Sequence, residues 1–410
     1  MIRMIFSSSI LKILSMIIGF VILTVTARGL GAVGRGEFAT LTTWAGSVAI
    51  VCSLSLGQIA ISRKRLESSA WVDEALPILS IYLLIVFLFQ ILAVFVLKYF
   101  SNVDLIFLDN YFYIFFVTFY ALALLWESFV EPIFSGLGKI VFFNKVKFVT
   151  QVLLLILISL LYFTDKLKIV SLLWSQLIVS LICVFICSLS LIKEGLKLEI
   201  PKLVTFKKYL KNGSHLHLGV VATYIFTSSD VLMINYFLGN FDTGNYQLAV
   251  ALINFLLVIP QTVRIVLLGG LNQADLSSNW KTHKKLIIYT TSIMVFAAII
   301  AYFLCVPIIS YFMGSEFYDA IDIYRLLLLG VVMSSFSASI SPQWILRGMF
   351  LQVSLVSLMA AVLNLFLNYL LIPVYGVKGA VWSSLSSWFL VALINVILYL
   401  YCDRNAKAST

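Results

Sequence analysis

The sequence predicts an all-α integral membrane protein with twelve transmembrane helices in two lobes of six, and three observations carry this prediction. The 410 residues are 62% hydrophobic and 11% charged, with a mean hydropathy of +1.06, which no soluble domain of this length tolerates on its surface. Twelve apolar runs are long enough to cross ~30 Å of hydrocarbon, for which about 20 helical residues suffice. Residues 193–213 carry six lysines and separate six runs from the other six.

This separation predicts the domain organisation. Residues 1–192 form an N-terminal six-helix lobe, and residues 214–410 form a C-terminal one. Residues 193–213 form a cytoplasmic, lysine-rich linker that ends in an amphipathic helix, because apolar and basic residues alternate there at helical spacing.

The first half begins with an apolar run that is preceded by Arg3 and Lys12. A cleaved signal peptide is the competing interpretation, but the run is longer than a typical signal core and further spans follow it. Gly29, Gly31 and Gly34 have the spacing of a dinucleotide fingerprint, which requires a preceding strand, so we interpret them as a tight turn between two spans. The six predicted spans of this half cover residues 10–27, 37–58, 76–97, 111–131, 148–163 and 169–192.

The basic residues predict the orientation of the chain. The predicted spans of the second half cover residues 215–238, 246–270, 286–309, 321–341, 351–372 and 379–401. Of the 28 Lys and Arg residues, 20 fall on one side of the membrane, 6 on the other and 2 within spans. Cytoplasmic loops carry the excess, so both termini are predicted to be cytoplasmic. The net charge of +10 is therefore a topology signal, and no nucleic-acid partner is expected.

An internal repeat supports the division into two lobes. The letters LG at 30–31 and GEF at 36–38 return 208 residues later as LG at 238–239 and GNY at 244–246. Because six is an even number of spans, both halves begin on the same side of the membrane. The repeat is therefore parallel, with a pseudo-two-fold axis along the membrane normal, which is an arrangement typical of transporters.

Two stretches carry a family resemblance: ARGLGAVGRGEFA at 27–39 and NLFLNYLLIPVYGVKGAVWSSLSS at 364–387. They resemble polysaccharide exporters of the MATE-related (MOP) superfamily, specifically Wzx-type O-antigen flippases. The resemblance implies a V-shaped pair of lobes in the bacterial inner membrane. By alternating access these would flip an undecaprenyl-diphosphate-linked oligosaccharide, the O-antigen repeat unit of lipopolysaccharide, from the cytoplasmic to the periplasmic leaflet. It also implies a monomer without enzymatic activity. The expected partners besides the substrate are membrane lipids and the polymerase and chain-length proteins of polysaccharide synthesis.

Five residues of the second lobe form a predicted cation site. Asn364 and Asn368 project from one helical face, at a depth similar to that of Asp230, and Ser384 begins span twelve at a matching level. With the main-chain carbonyl of Ala380 they make an all-oxygen shell that suits sodium as a coupling ion. The spacing resembles the sodium site of lipid II flippases, although Asn368 stands where an acid is expected. The alternatives are protonation of Asp230 as the coupling event and an interhelical hydrogen-bond cluster without transport function.

Five further charged residues are candidates for substrate binding. Arg264 in span eight is a candidate ligand of the diphosphate, or else a topogenic anchor that reaches the cytoplasmic interface. Arg28 and Arg35 at the outer mouth suit phosphate oxygens, although loop topology alone would also explain them and is the preferred interpretation. Glu127 and Glu131 lie four apart on one face of span four. They are either a proton or sugar-hydroxyl site, or solvating groups at the helix end.

Three function classes follow from these observations. A lipid-linked oligosaccharide flippase is preferred. A cation-coupled small-molecule exporter of the multidrug type would share the architecture but favour an acid-lined, apolar pocket. A membrane polymerase or ligase would need a large external loop, whereas the longest loop predicted here is the cytoplasmic one. The sequence has no Walker loop, so a sodium or proton gradient is the expected energy source, and no cofactor beyond the coupling ion is expected.

Overall fold

The computed structural model describes residues 2–64, 71–100, 107–108, 110–193, 203–270 and 276–408. Regular structure within these ranges is helical throughout, which confirms the all-α prediction. A π-helical turn at Ile309–Met313 and a 3₁₀ turn at Ser315–Phe317 follow the ninth α-helix. The α-helices are α1 (Ile2–Ser53), α2 (Leu56–Lys64), α3 (Trp71–Phe100), α4 (Tyr111–Gly136), α5 (Ile140–Phe163), α6 (Ile169–Lys193), α7 (Leu203–Leu238), α8 (Asn240–Gly270), α9 (Leu276–Ile308), α10 (Asp319–Ile340), α11 (Pro342–Leu346), α12 (Phe350–Tyr375) and α13 (Val377–Ala408).

Eleven of the described helices are long and apolar enough to cross a membrane, and the first of them contains two spans. Its apolar part, Ile13–Ser53, has 41 residues. At 1.5 Å per residue it is about 60 Å long, twice the thickness of the hydrocarbon core. The helix breaks at Gly31, whose φ of 67° and ψ of −174° are not helical. The described helices therefore supply all twelve predicted spans.

The break at Gly31 has a counterpart in the second half. Gly239, 208 residues later, has a φ of 91° and forms the one-residue connection between α7 and α8. Side chains other than glycine rarely adopt such positive φ values. The repeated LG pair thus lies at equivalent positions, in the turn between the first two spans of each half.

A second pair of repeated glycines brings two helices close together. A Cβ atom added to Gly36 would lie 2.9 Å from the backbone nitrogen of Gly244, and one added to Gly244 would lie 3.1 Å from that of Gly36. Each would also meet a carbonyl oxygen of the facing helix, that of Asn240 for Gly36 and that of Ala32 for Gly244. Ala32 and Asn240 are themselves 208 residues apart. The contact is therefore reciprocal, as a two-fold internal repeat requires.

The chain divides into two compact units. The first comprises Met1–Leu30 and Glu37–Val221, and the second comprises Gly31–Gly36 and Ala222–Thr410. The predicted boundaries at 192, 193–213 and 214 differ from this division, which falls inside α7. The hexapeptide groups with the second unit because its backbone packs against α8 and because the main-chain nitrogen of Ala32 donates a hydrogen bond to Glu316 at 2.9 Å.

The structure describes part of the lysine-rich stretch at 193–213. Residues 194–202 lie outside the described part of the chain, and α7 begins at Leu203 and continues into span seven without a break. The side chain of Tyr209 is fully buried in the large core of the first unit, together with Phe116 and Phe129. The start of α7 is therefore a packed element of the first unit.

Candidate functional site

The candidate site lies in the second unit, where two helical hairpins meet. Asp230 is on α7, eight residues before that helix ends, and α8 returns after the single residue Gly239. Gly376, with a φ of 60°, connects α12 and α13 in a similar way. Because each hairpin turns in one residue, side chains at similar distances from the turn lie at the same depth.

The carboxylate of Asp230 accepts three hydrogen bonds from three other helices. The hydroxyl of Tyr246 on α8 and the hydroxyl of Ser384 on α13 both donate to Oδ2 at 2.5 Å. Nδ2 of Asn368 on α12 donates to Oδ1 at 2.5 Å. All four side chains are buried, and Asp230 itself is 4% exposed. Three donors on one carboxylate satisfy the hydrogen-bonding capacity of its oxygens in a place where water does not reach them.

Asn364 extends this group along α12. Its Oδ1 atom accepts a hydrogen bond from Nδ2 of Asn368 at 3.0 Å and another from the hydroxyl of Ser229 at 2.8 Å. Within the part of the chain that the structure describes, Oδ1 of Asn368 and Nδ2 of Asn364 are buried and have no hydrogen-bond partner. We call the six side chains the Asp230 cluster; its members are Ser229, Asp230, Tyr246, Asn364, Asn368 and Ser384.

The Asp230 cluster contains the side chains of four of the five predicted cation ligands, namely Asp230, Asn364, Asn368 and Ser384. The amino group of Asn368 lies between two acceptor oxygens, Oδ1 of Asp230 and Oδ1 of Asn364. A bound cation also needs acceptor oxygens around it. Rotation of the Asn368 amide by 180° would point its unpartnered Oδ1 toward the space between these two oxygens. Among the described residues no three His, Cys, Asp or Glu side chains gather as a multivalent metal would require.

The fifth predicted ligand is the main-chain carbonyl of Ala380. Ala380 is fully buried in the first turn of α13, one turn before Ser384, as the sequence register predicts. The hydrogen bonds of the Asp230 cluster do not include its carbonyl. Its role as a ligand therefore stays a prediction.

The three candidate arginines occupy different surroundings. Arg35 is buried, with 4% of its surface exposed, and its Nη2 atom donates to Oε1 of Gln247 on α8 at 2.5 Å. Arg28 on α1 and Arg264 on α8 are exposed. In this structure Arg35 thus ties the hexapeptide 31–36 to α8, whereas Arg28 and Arg264 are exposed residues of α1 and α8.

The two candidate glutamates also differ. Glu127 on α4 forms an ion pair with Lys147 on α5, with 2.6 Å between Oε2 and Nζ. The side chain of Glu127 is 13% exposed, and that of Lys147 is 44% exposed. Glu131, one turn further, is exposed. The ion pair joins two neighbouring helices and gives Glu127 a structural role in addition to any role in binding.

Two members of the Asp230 cluster, Tyr246 and Ser229, were not among the predicted site residues. The sequence does contain a signal for Tyr246. This residue lies seven residues after the turn at Gly239, and Asp230 lies nine residues before the same turn. Opposite positions in a hairpin of two antiparallel helices meet in this way. Ser229 carries no such signal, because its contact depends on which side chain of α12 lies opposite it.

The comparisons with known proteins agree with this architecture. The model of a family described as "Polysaccharide biosynthesis protein" matches residues 1–267. A search of curated protein sequences gives no match. The structure of the lipid II flippase MurJ in its inward closed conformation is similar, with a TM-score of 0.74, 15% identity, and coverage of 98% of this chain and 90% of that chain.

Two further solved structures share the fold. An inward-facing multidrug resistance MATE family transporter of the MOP superfamily has a TM-score of 0.70 and 14% identity, covering 96% of this chain and 95% of that chain. A MOP superfamily transporter from Pyrococcus furiosus Vc1 has a TM-score of 0.65 and 12% identity, covering 99% and 96%. At such identities the likeness concerns the fold, and the family match concerns the sequence. This chain therefore belongs to the polysaccharide biosynthesis protein family and has the multi-pass fold of the MOP-superfamily transporters.

Proposed function

We propose that the protein flips an undecaprenyl-diphosphate-linked oligosaccharide, the O-antigen repeat unit, from the cytoplasmic to the periplasmic leaflet of the inner membrane. The observation that carries the proposal is the match to the polysaccharide biosynthesis family in a chain with a transporter fold. A polysaccharide built on a cytoplasmic lipid carrier needs a membrane protein that moves its polar part across hydrocarbon. No step of such a movement requires a covalent reaction by the protein.

The Asp230 cluster is the proposed coupling site. A buried carboxylate within a membrane span is costly, and such groups mark ion or proton pathways. In one state the amino group of Asn368 bridges Asp230 and Asn364, as the structure describes. In the other state sodium, or a proton on Asp230, replaces that bridge. Because the cluster joins α7, α8, α12 and α13, a change in its occupancy alters the contacts among these helices.

The substrate diphosphate is proposed to meet cationic side chains, first among them Arg264. A diphosphate that moves through a low-dielectric space needs a compensating charge. Arg264, an exposed residue of α8, provides one in the second unit, and Arg28 on α1 provides one in the first. Arg35 would have to release Gln247 before it could contribute.

The proposal is tested by following lipid-linked sugars in vesicles. Proteoliposomes that contain the purified protein and a fluorescent prenyl-diphosphate oligosaccharide should expose the sugar to an external lectin faster when a sodium or proton gradient is applied. We expect Asp230→Asn to remove the response to the gradient, and Asn368→Asp to strengthen a sodium response by adding a second carboxylate. Asn395→Asp is the matched control, since it places an acid at a buried asparagine of α13 outside the Asp230 cluster.

The arginines are tested in a deletion strain that depends on a plasmid copy of the gene. The strain without the gene should accumulate the lipid-linked sugar in the cytoplasmic leaflet. Arg264→Ala should restore little export and Arg264→Lys an intermediate amount, since lysine keeps the charge but not the planar fork. If both variants export at the wild-type rate with normal amounts of protein in the membrane, Arg264 is an anchor.

A small-molecule exporter is the second candidate, because multidrug MATE transporters share the fold at a TM-score of 0.70. The same vesicles distinguish the two functions. Gradient-driven uptake of cationic dyes, without movement of the lipid-linked sugar, would replace the flippase proposal with this one.

A further inference from the structure

A cavity of about 1010 Å³ lies in the second unit, between α9, α10 and the first turn of α13. Much of its wall is apolar and lies open on the surface of the unit. The exposed fractions are 53% for Ile299, 69% for Phe303 and 57% for Leu329. Both α9 and α10 are candidate membrane spans. Apolar side chains that remain exposed on such helices are suited to contact with lipid chains.

One end of this cavity is charged. Arg325 on α10, Lys378 on α13 and Asp322 on α10 all line it. They lie within the first seven residues of their helices, at the end that the charge distribution of the loops predicts to be periplasmic. Two cations and one carboxylate give this end a net charge of plus one. The cavity is thus amphiphilic, with an apolar wall in the span and a cationic rim at the membrane surface.

Arg325 is not neutralised by the acid that precedes it on the same helix. Its guanidinium carbon lies 4.6 Å from the centre of the Tyr302 ring, and its Nε atom is buried without a hydrogen-bond partner. The sequence spacing favours an ion pair with Asp322, but neither of the ion pairs found in the described part of the chain includes these residues. A cationic side chain with a buried, unsatisfied donor is costly, and phosphate oxygens match the guanidinium fork.

The first unit provides an internal comparison. It contains a smaller cavity of about 250 Å³ among α1, α3 and α4, whose wall includes Phe89 and Leu97. No Asp, Glu, Lys or Arg lines that cavity. The cationic rim is therefore a property of the cavity in the second unit and does not follow from the packing of membrane helices in general.

We propose that the cavity in the second unit binds an anionic phospholipid, with its phosphate between Arg325 and Lys378 and an acyl chain along α9 and α10. A phosphodiester carries one negative charge, which balances the net charge of the rim. The site is independent of the flippase proposal. Lys378 precedes Ser384 by six residues on α13, so a lipid held here also restrains the helix that supplies a hydrogen bond to Asp230.

The test uses the full-length protein, purified in detergent and stripped of lipid, with phosphatidylglycerol as the probe. Native mass spectrometry across a lipid titration gives the affinity, and phosphatidylcholine serves as the zwitterionic reference. We expect wild type to prefer phosphatidylglycerol. Arg325→Gln combined with Lys378→Gln should weaken its binding by roughly tenfold or more, the usual effect of losing a charge-assisted contact. Lys98→Gln is the matched control, because this cation lies 3.6 Å from the centre of the Tyr111 ring and lines neither cavity.

Three results would overturn the proposal. One is equal binding of phosphatidylglycerol by wild type and the double variant, when both have the same melting temperature. Another is equal binding of phosphatidylcholine and phosphatidylglycerol by wild type. The third is displacement of phosphatidylglycerol by undecaprenyl phosphate at a lower concentration, which would assign the cavity to the carrier lipid. If the double variant does not fold, Asp322→Asn replaces it. Removal of that carboxylate should tighten binding of phosphatidylglycerol, and weaker binding would count against the charge argument.

Discussion

Replacement of Asp230 by leucine would show how much of the second unit's stability depends on one carboxylate. Tyr246, Ser384 and Asn368 each donate a hydrogen bond to Asp230 at 2.5 Å. Leucine has a similar size but accepts no hydrogen bond, so all three donors lose this partner while the packing volume is nearly kept. A buried donor without an acceptor costs about 1–3 kcal/mol.

The loss of the carboxylate does not cost the three donors the same free energy. Asn368 keeps Asn364 as an acceptor at 3.0 Å. The hydroxyl of Ser384 can turn to the carbonyl four residues earlier, as Ser383 does with Gly379 at 2.9 Å. The loss therefore falls mainly on Tyr246, and we expect a total cost of about 2–4 kcal/mol for Asp230→Leu. Asp230→Asn keeps one acceptor oxygen and should cost about 1 kcal/mol.

Thermal unfolding of the detergent-solubilised protein measures this difference. For a unit of roughly 150–250 residues, 1 kcal/mol changes Tm by about 2–4 °C. The leucine variant should therefore melt about 5–15 °C below wild type, and the asparagine variant within about 4 °C of it. Asn395→Leu on α13 is the control for loss of a buried polar group outside the cluster. A change in Tm of about 2 °C corresponds to about 1 kcal/mol or less. A leucine variant that melts within about 2 °C of wild type would therefore refute the argument that these hydrogen bonds hold the four helices together.

Three further predictions concern other parts of the chain. Gly244→Ala should lower the free energy of unfolding by about 1–3 kcal/mol, because its Cβ would meet the carbonyl of Ala32; an unchanged Tm would contradict the close approach of the two helices. Glu127→Gln should lower Tm by no more than about 4 °C and leave export intact if its ion pair with Lys147 is structural, whereas loss of export at normal Tm would indicate a role in transport. Fused after Thr410, a reporter enzyme that works only in the cytoplasm should be active, and one that works only in the periplasm should be inactive. Activity of the periplasmic reporter would contradict the predicted orientation.

The sequence by itself determined the elements of this fold and most of the members of the candidate site. Apolar runs of about 20 residues specify membrane helices because the hydrocarbon core leaves the backbone no other way to satisfy its hydrogen bonds. The repeat at a shift of 208 residues predicted equivalent turns, and Gly31 and Gly239 both have the positive φ that such turns require. Asp230 and Asn368 stood out because polar residues in spans are expensive and helical spacing places them at matching depths.

Tertiary structure decided which of these residues meet and which do not. Tyr246 completes the Asp230 cluster because α8 packs antiparallel to α7. The spacing from Gly239 places both residues at a similar depth, and the rotation of the two helices brings the hydroxyl onto the carboxylate. Arg35 is buried against Gln247, and the pairing of Arg325 with Tyr302 replaces the ion pair that its spacing favours. A charged side chain has several partners within reach in sequence, and only the packing of neighbouring helices determines which of them lies within hydrogen-bonding distance.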